Sequence, residues 1–397
     1  MALDSERRRE IRDVWILILA ALILRAAWAL WSHKFWGYRE DWAYDDGAFL
    51  GMAQAFLGHG TISATHPPGY SLFLAPFLAL GGDLGVSAAR WVQMLLSSAT
   101  AALAYRLALS LKLERRAALA AGVLVVVHPM LVFFSVRMMS ESFFLALVLG
   151  FLLLWLEAWK SGDAKFAAWA GILGGAATLT RGVILPFAAV LAAVALWRRR
   201  EQARWLELTL ICGLVWAAVL LPWTARNWGV YRRFVPISVQ GGWNFYEGLT
   251  VDPDEIRFKR ATAMGEESRS RGLSDVFEVD AYFGAKARSW VRENPREFLR
   301  LVAIKAVRFW RPAPERPHAL WVRLGAGTFT VGLFLLACFG AWALRFTTGF
   351  WFLAAWAAHL NVLHAVFASN LRYRLPLEPV LAVLAGAGLA ALLRRRS

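Results

Sequence analysis

Cysteine is nearly absent. The two present, Cys212 and Cys338, lie far apart inside apolar runs, which argues against a disulfide framework or a thiolate metal site. Histidine is also sparse, and His59, His66, His128, His359 and His364 match no metal-ligating spacing such as HExxH. Acidic residues are few: 28 Asp and Glu stand against 44 Lys and Arg, for a formal net charge of +16. Such an excess would suit nucleic acid if it lined one face. Here it is broken into short clusters between apolar runs, so no nucleic-acid partner is expected. No internal repeat is visible, and the inverted-repeat pattern of secondary transporters is not found by inspection. No small-residue cleavage site follows the basic N-terminal stretch, which therefore reads as the approach to a retained first helix.

What the chain has in abundance is hydrocarbon. Of its 397 residues 58% are hydrophobic, including 21 Trp and 26 Phe. That exceeds the apolar share of an ordinary soluble domain. Crossing a bilayer takes about 20 apolar residues in a helix, and a lone strand or loop would leave backbone groups unpaired in lipid. The chain is therefore expected to be an all-α polytopic membrane protein forming a single domain over 1–397. Candidate spans are Val14–Ser32, Leu84–Leu109, Ala117–Val136, Ser142–Trp159, Phe166–Thr180, Gly182–Trp197, Leu206–Trp223, Val322–Leu344, Thr348–Phe367 and Pro376–Leu393. Together they make about ten.

Lys and Arg in short loops mark the cytoplasmic side. The clusters "ERRRE", "LKLERRA", "WRRREQAR" and the terminal "RRRS", with a weaker "EAWKSGDAK", all fall on one side when the spans alternate. Both termini are then cytoplasmic. Two longer segments fall on the opposite, periplasmic side: the first loop, 33–83, and a large polar region, 226–320. Within the first loop Pro68–Leu80 is apolar but too short to span, and is expected to lie along or dip into the membrane surface.

With that topology a second set of charges stands at the outer helix ends, where short loops usually avoid Lys and Arg. These are Arg137, Arg181, Arg226, Arg372 and Arg374, level with Asp45, Asp46 and Glu141. Any one such arginine has a plain explanation in snorkelling or helix-locking ion pairs. Five at one depth beside three carboxylates instead suit a phosphate-bearing lipid, because a guanidinium grips phosphate through two parallel hydrogen bonds. A sugar leaving from such a phosphate needs cations on the leaving group and a base for the attacking hydroxyl. An aspartate, with an ordinary pKa of about 3.9, is ionised and suited to that role. Asp45 and Asp46 are adjacent and cannot face the same way on a helix, so one reacts while the other caps the helix or binds elsewhere. His66, beside "PPGY", is a candidate ligand contact. No spacing demands a metal.

Several stretches in order resemble the GT-C-fold glycosyltransferases that use polyprenyl-phosphate sugars, in particular the protein O-mannosyltransferase, lipid A aminoarabinose transferase and lipopolysaccharide-core types. They are "DDGAFLGMAQAFLGHG", "HPPGYSLFLAP", "MMSESFFLAL", "TLTRGV", "LPWTARNWGVYRRFVPISVQGGWNFYEG" and "NLRYRLPLEPVLAVLAG". The resemblance implies Asp45 as the catalytic base and Asp46 as the second acid of the pair. Glu141 would be the acid of the second external loop, and Arg226 with Arg372 or Arg374 the phosphate partners. His66 stands where the aminoarabinose branch commonly has Lys. Members of the family differ in their use of a divalent metal. The length leaves no room for a large C-terminal soluble domain, unlike the oligosaccharyl branch. The expected activity is inverting transfer from a polyprenyl-phosphate sugar to a lipid, glycan or protein acceptor at the periplasmic face of the inner membrane, amid membrane lipids. The alternative is a polytopic transporter or lipid flippase, which would need polar groups and broken helices near the bilayer midplane.

Overall fold

The structure is a computed structural model describing residues 2–36, 44–198, 203–250, 255–314 and 319–394; the side chains of 2–4, 33–36, 44, 45, 197, 198, 203 and 255–259 lie outside the description. Among the described residues there is no strand. The chain begins with α1 (Ala2–Trp36), then α2 (Tyr44–Phe56), α3 (Gly69–Leu78), α4 (Gly82–Ser110), α5 (Arg115–Val126) and α6 (Pro129–Ser135). Next come α7 (Glu141–Ser161), α8 (Ala164–Thr180), α9 (Leu185–Arg198) and α10 (Ala203–Tyr231). A run of polar-faced helices follows: α11 (Gly241–Glu247), α12 (Glu255–Ser270), α13 (Val276–Glu293) and α14 (Pro295–Arg308). The chain then returns through α15 (Leu320–Leu344), α16 (Thr348–Val366), the single turn α17 (Leu371–Arg374) and α18 (Glu378–Arg394).

All ten expected spans are helical. Seven helices among the described residues are long and apolar enough to cross a membrane, and an eighth crossing results if α5 and α6 count as one broken span. That pair departs from the expected straight span over Ala117–Val136. It bends by 53° at a break before Pro129, which has no N–H to continue the ladder. The remaining two, α8 and α9, are shorter than a full crossing, and α9 begins only after a 3-10 turn at Gly182–Ile184.

Residues 199–202 and 395–397, the core of "WRRREQAR" and the end of "RRRS", lie outside the described residues; the described parts of the basic clusters gather at one end of the bundle. There Asp13 of α1 accepts from Arg115 at 2.6 and 2.7 Å, Glu10 accepts from Arg106 at 2.8 Å, and Arg394 of α18 pairs with Glu114. The start of α1 and the end of α18 thus meet the same end. At the opposite end lie α2, α3 and α11 to α14.

Small residues set the closest helix approaches, as expected where lipid offers no hydrophobic drive for association. A methyl at Gly340 of α15 would fall 1.8 Å from the Leu384 carbonyl, and one at Gly388 of α18 only 2.1 Å from the Leu336 carbonyl. Backbone lies against backbone there. Gly332, on the same α15, faces open space. Gly340→Leu is therefore expected to lower stability by about 3 kcal/mol or more, with Gly332→Leu close to neutral. Thermal unfolding of the two purified variants in detergent measures the difference.

The external helices are tied to the bundle by one buried lysine. Lys305 of α14 is 2% exposed and donates to the carbonyls of Val366 at 2.8 Å and of Phe367 and Gly248 at 3.2 Å. The Val366 and Phe367 carbonyls end α16 and that of Gly248 ends α11, and at both helix ends a cation is favoured by the helix dipole. Burial nevertheless penalises the ammonium and brings its pKa down from 10.5 to about 8. The unfolded chain then holds more protons between those values, so this group adds stability as pH rises from about 8 to 10.5 and costs stability below 8. Lys305→Met is expected to gain less in melting temperature than wild type across that interval.

Candidate functional site

The site grows from one carboxylate. Glu141 opens α7, where the helix dipole favours negative charge, yet it is only 5% exposed. Its Oε1 accepts from Arg181 Nη1 at 2.7 Å and from Arg372 Nε. Arg181 caps the C-terminus of α8 in extended conformation, and a second bond from Nη1 reaches Ser140 Oγ at 3.3 Å. Arg372 comes from α17, whose start is fixed by Asn370: its side-chain oxygen accepts from Tyr373 N at 3.2 Å. Three chain segments thus converge on one oxygen. Glu141 Oε2 is buried and has no hydrogen-bond partner among the described residues.

A pocket opens beside this cluster, lined by Glu141, Arg181, Arg372, Tyr373, His364 and Phe144 among others. His364 and Tyr373 stack at 4.7 Å with planes 6° apart, and the Arg181 guanidinium lies 5.8 Å from the Tyr373 ring. Two guanidiniums sharing one carboxylate put N–H donors in the pocket wall beside flat aromatic surface. That arrangement can hold an anion with an attached ring or chain.

Arg374, two residues after Arg372, must face elsewhere on a one-turn helix. It is fully buried, bonding Glu378 Oε1 at 2.7 Å and the carbonyls of Phe309 and Arg311 at 2.8 and 2.7 Å. The other oxygen of Glu378 lies 3.2 Å from His128 Nε2. This second cluster, walled in by α18, α6 and the end of α14, is separate from the pocket. Arg226 is also engaged elsewhere. It donates to the Ile62 carbonyl at 2.6 Å and to Asn227 Oδ1 at 2.9 Å, with its guanidinium over Trp223 and Tyr231. In that position it pins the first external loop to α10.

The acidic pair opens α2. Asp46 is buried, at 8% exposure. Asp45 lies in the first turn, and its side chain falls outside the described residues. A relay of contacts links α2 to the Glu141 turn. Phe49 meets His66 and Tyr70 edge-on, at 5.9 and 5.1 Å. Tyr70 Oη donates to Gln93 Oε1 at 2.5 Å, and Gln93 Nε2 donates to the carbonyls of Ser135, at 3.0 Å, and Arg137. Arg137 itself lies over Phe133 at 5.1 Å. The "PPG" step brings α3 to the other wall: a methyl at Gly69 would sit 2.7 Å from Thr180 Oγ1 and 2.8 Å from Thr180 N, next to Arg181. Only glycine permits that approach.

Of the residues expected from sequence, Glu141, Arg181 and Arg372 come together, with Arg137 on the same turn as Glu141. His66 and Asp46 belong to the adjoining first-loop layer, while Arg226 and Arg374 serve other contacts. Tyr373, Gln93 and Tyr70 were not anticipated. Tyr373 had a signal, lying between the two arginines of "LRYR". Gln93 had a weaker one, as an amide inside an apolar run. Among the described residues no three His, Cys, Asp or Glu side chains gather as a metal-holding group.

The whole architecture has known counterparts. The chain superposes on AglB, the oligosaccharyltransferase of the archaeon Archaeoglobus fulgidus solved with an inhibitory peptide and a dolichol-phosphate, with a TM-score of 0.63 at 13% identity. The match covers 98% of this chain and 51% of that one. The apo form of the Archaeoglobus enzyme matches similarly, with a TM-score of 0.62, 15% identity, and 97% and 51% coverage. The fold is that of the GT-C glycosyltransferases. Within this GT-C fold the chain spans about half the length of the archaeal protein. A family model described as dolichyl-phosphate-mannose-protein mannosyltransferase matches residues 65–223, which run from just before the "HPPGY" stretch into α10. ArnT from Cupriavidus metallidurans in the apo state matches over 87% of this chain and 73% of that one at 14% identity, with a TM-score of 0.32, too loose a superposition to build on. No curated protein matches the sequence at the significance required.

Removing either arginine leaves Glu141 one partner, whereas removing both strands a buried carboxylate. The double variant Arg181→Met with Arg372→Met is expected to cost about 3–5 kcal/mol, more than the sum of the single variants. Adding Glu141→Gln should recover part of the loss. Melting curves of the four purified variants check both points.

Proposed function

We propose that this protein is a membrane glycosyltransferase that moves a sugar from a polyprenyl-phosphate carrier to a lipid, glycan or protein acceptor. The reaction takes place at the periplasmic face of a cell inner membrane, opposite the basic clusters that the positive-inside rule assigns to the cytoplasm. The observation that carries the reading is the pocket in which Arg181 and Arg372 share the single carboxylate of Glu141. The GT-C fold and the partial match to a mannosyltransferase family model support it.

In this reading the acceptor hydroxyl attacks the anomeric carbon from the face opposite the phosphate and inverts it. The new carbon–oxygen bond forms as the bond to phosphate breaks. The electron pair leaves on the polyprenyl phosphate, whose growing negative charge the two guanidiniums stabilise in a site poor in water. The hydroxyl proton passes to a carboxylate of the α2 pair, with Asp45 as the base and Asp46, already buried, holding the start of the helix. Arg137 and His66, which lie against Phe133 and Phe49, are the further substrate contacts in this reading. Glu141 holds both arginines in place, and its second oxygen is left for a substrate hydroxyl. No residue need protonate the leaving group, because a phosphate ester departs as an anion.

Membranes containing the protein, given a labelled polyprenyl-phosphate sugar, should release label from the carrier. Asp45→Asn should slow that release by about 10²–10⁴-fold, the usual worth of a positioned base, while carrier binding by the purified variant persists. Near-normal turnover in both Asp45→Asn and Asp46→Asn would remove the base from this scheme.

A further inference from the structure

The helix α14 has two faces with different work. Its inner face carries Leu301 and Lys305, both buried against the end of α16. Its outer face is an exposed stripe. Leu299 is 66% exposed, Val307 75%, and Trp310, just past the helix, 37%; Ala303 lies between them, and Arg296 and Arg300 stand at the N-terminal end. These positions recur at three- and four-residue steps, so they form one continuous surface. Apolar side chains of this size would be costly to leave in water.

The neighbours of α14 fix its depth. The Ala306 carbonyl accepts from Asn361 Nδ2 at 3.3 Å, and Asn361 lies five residues inside the end of α16, about 7 Å below it. Trp310 packs edge-on against Phe334 at 5.8 Å, and Phe334 is well inside the spanning helix α15, about 20 Å from its first residue. The outer face of α14 is therefore continuous with the exposed apolar surface of two spanning helices. At its N-terminal end the same face carries the exposed Arg296 and Arg300, the latter 3.3 Å from Glu297. Along this stripe apolar side chains at the deeper end and charged ones at the other match the layering of a leaflet, acyl chains below and phosphate headgroups above.

We propose that α14 is a membrane-interface helix that enters the leaflet obliquely with its C-terminus deepest. Val307 and Ala303 lie among acyl chains, and Arg296 and Arg300 contact anionic headgroups. Its occupant is the bilayer, and no partner protein covers the stripe. Through Lys305 the helix also holds the end of α16, from which the chain passes directly to Arg372, so the leaflet itself braces the pocket wall.

The test uses full-length protein in vesicles of phosphatidylcholine with or without phosphatidylglycerol, in a background carrying Cys212→Ala and Cys338→Ser. Single nitroxide labels are placed at positions 299, 303 and 307, with position 278 on α13, an exposed glutamate, as the aqueous reference. Power saturation then reads collisions with oxygen, which partitions into lipid, and with a water-soluble nickel complex. The oxygen-to-nickel ratio should rise several-fold from 278 to 307, in the order 299, 303, 307. Adding phosphatidylglycerol should raise it further, and Arg296→Gln with Arg300→Gln should abolish that second increase. Labels at 303 and 307 as open to nickel as 278 would overturn the proposal. Labels shielded from both reagents would also overturn it, since the stripe would then be covered by protein.

Discussion

A buried carboxylate held between two half-buried guanidiniums draws three helix ends together at one end of a hydrocarbon bundle. Glu141 begins α7, Arg181 ends α8, and Arg372 sits on a single turn between α16 and α18. The buried carboxylate is not stable there alone, because a lone charge out of water carries a desolvation penalty of several kcal/mol. The mutual attraction of the three charges, strengthened by the low-dielectric surroundings, fixes where three otherwise independent helix ends must meet. The aromatic wall of Tyr373 and His364 and the pocket beside it follow from that meeting point.

In this cluster two guanidiniums share one carboxylate at the wall of a pocket. The contrast with the second buried cluster is instructive. Arg374 bonds Glu378 and the Phe309 and Arg311 carbonyls, and His128 lies 3.2 Å from the other Glu378 oxygen, deep in the protein. That cluster binds helices to each other and closes over the break between α5 and α6. Two arginines separated by one residue thus serve different ends, because a single helical turn points them in different directions.

The external layer is built onto this base by polar anchors that meet backbone carbonyls. Arg226 reaches the Ile62 carbonyl, Gln93 reaches those of Ser135 and Arg137, and Lys305 reaches those ending α16. Loops and helix ends have carbonyls left over from regular hydrogen bonding, and burial makes each one worth satisfying. Long cationic or amide side chains can cross the gap from a neighbouring helix to do so. The first external loop, the turn bearing Glu141 and the end of α16 are thereby held in register around the pocket.

Hydropathy and charge placement alone determined the class of the protein and the position of its ten helical segments. Both properties follow from transfer energies that each residue carries wherever it is put. The bend before Pro129 was legible in part, since the proline was visible but the angle was not. What only tertiary structure decided was which charges meet. Sequence set Arg226, Arg372 and Arg374 on equal terms, yet one pins a loop, one faces the pocket and one is sealed inside the bundle. Ion pairing depends on distance and direction between segments remote in the chain, and those are set by helix packing, by close approaches such as Gly69 against Thr180, and by the length of the turn at α17.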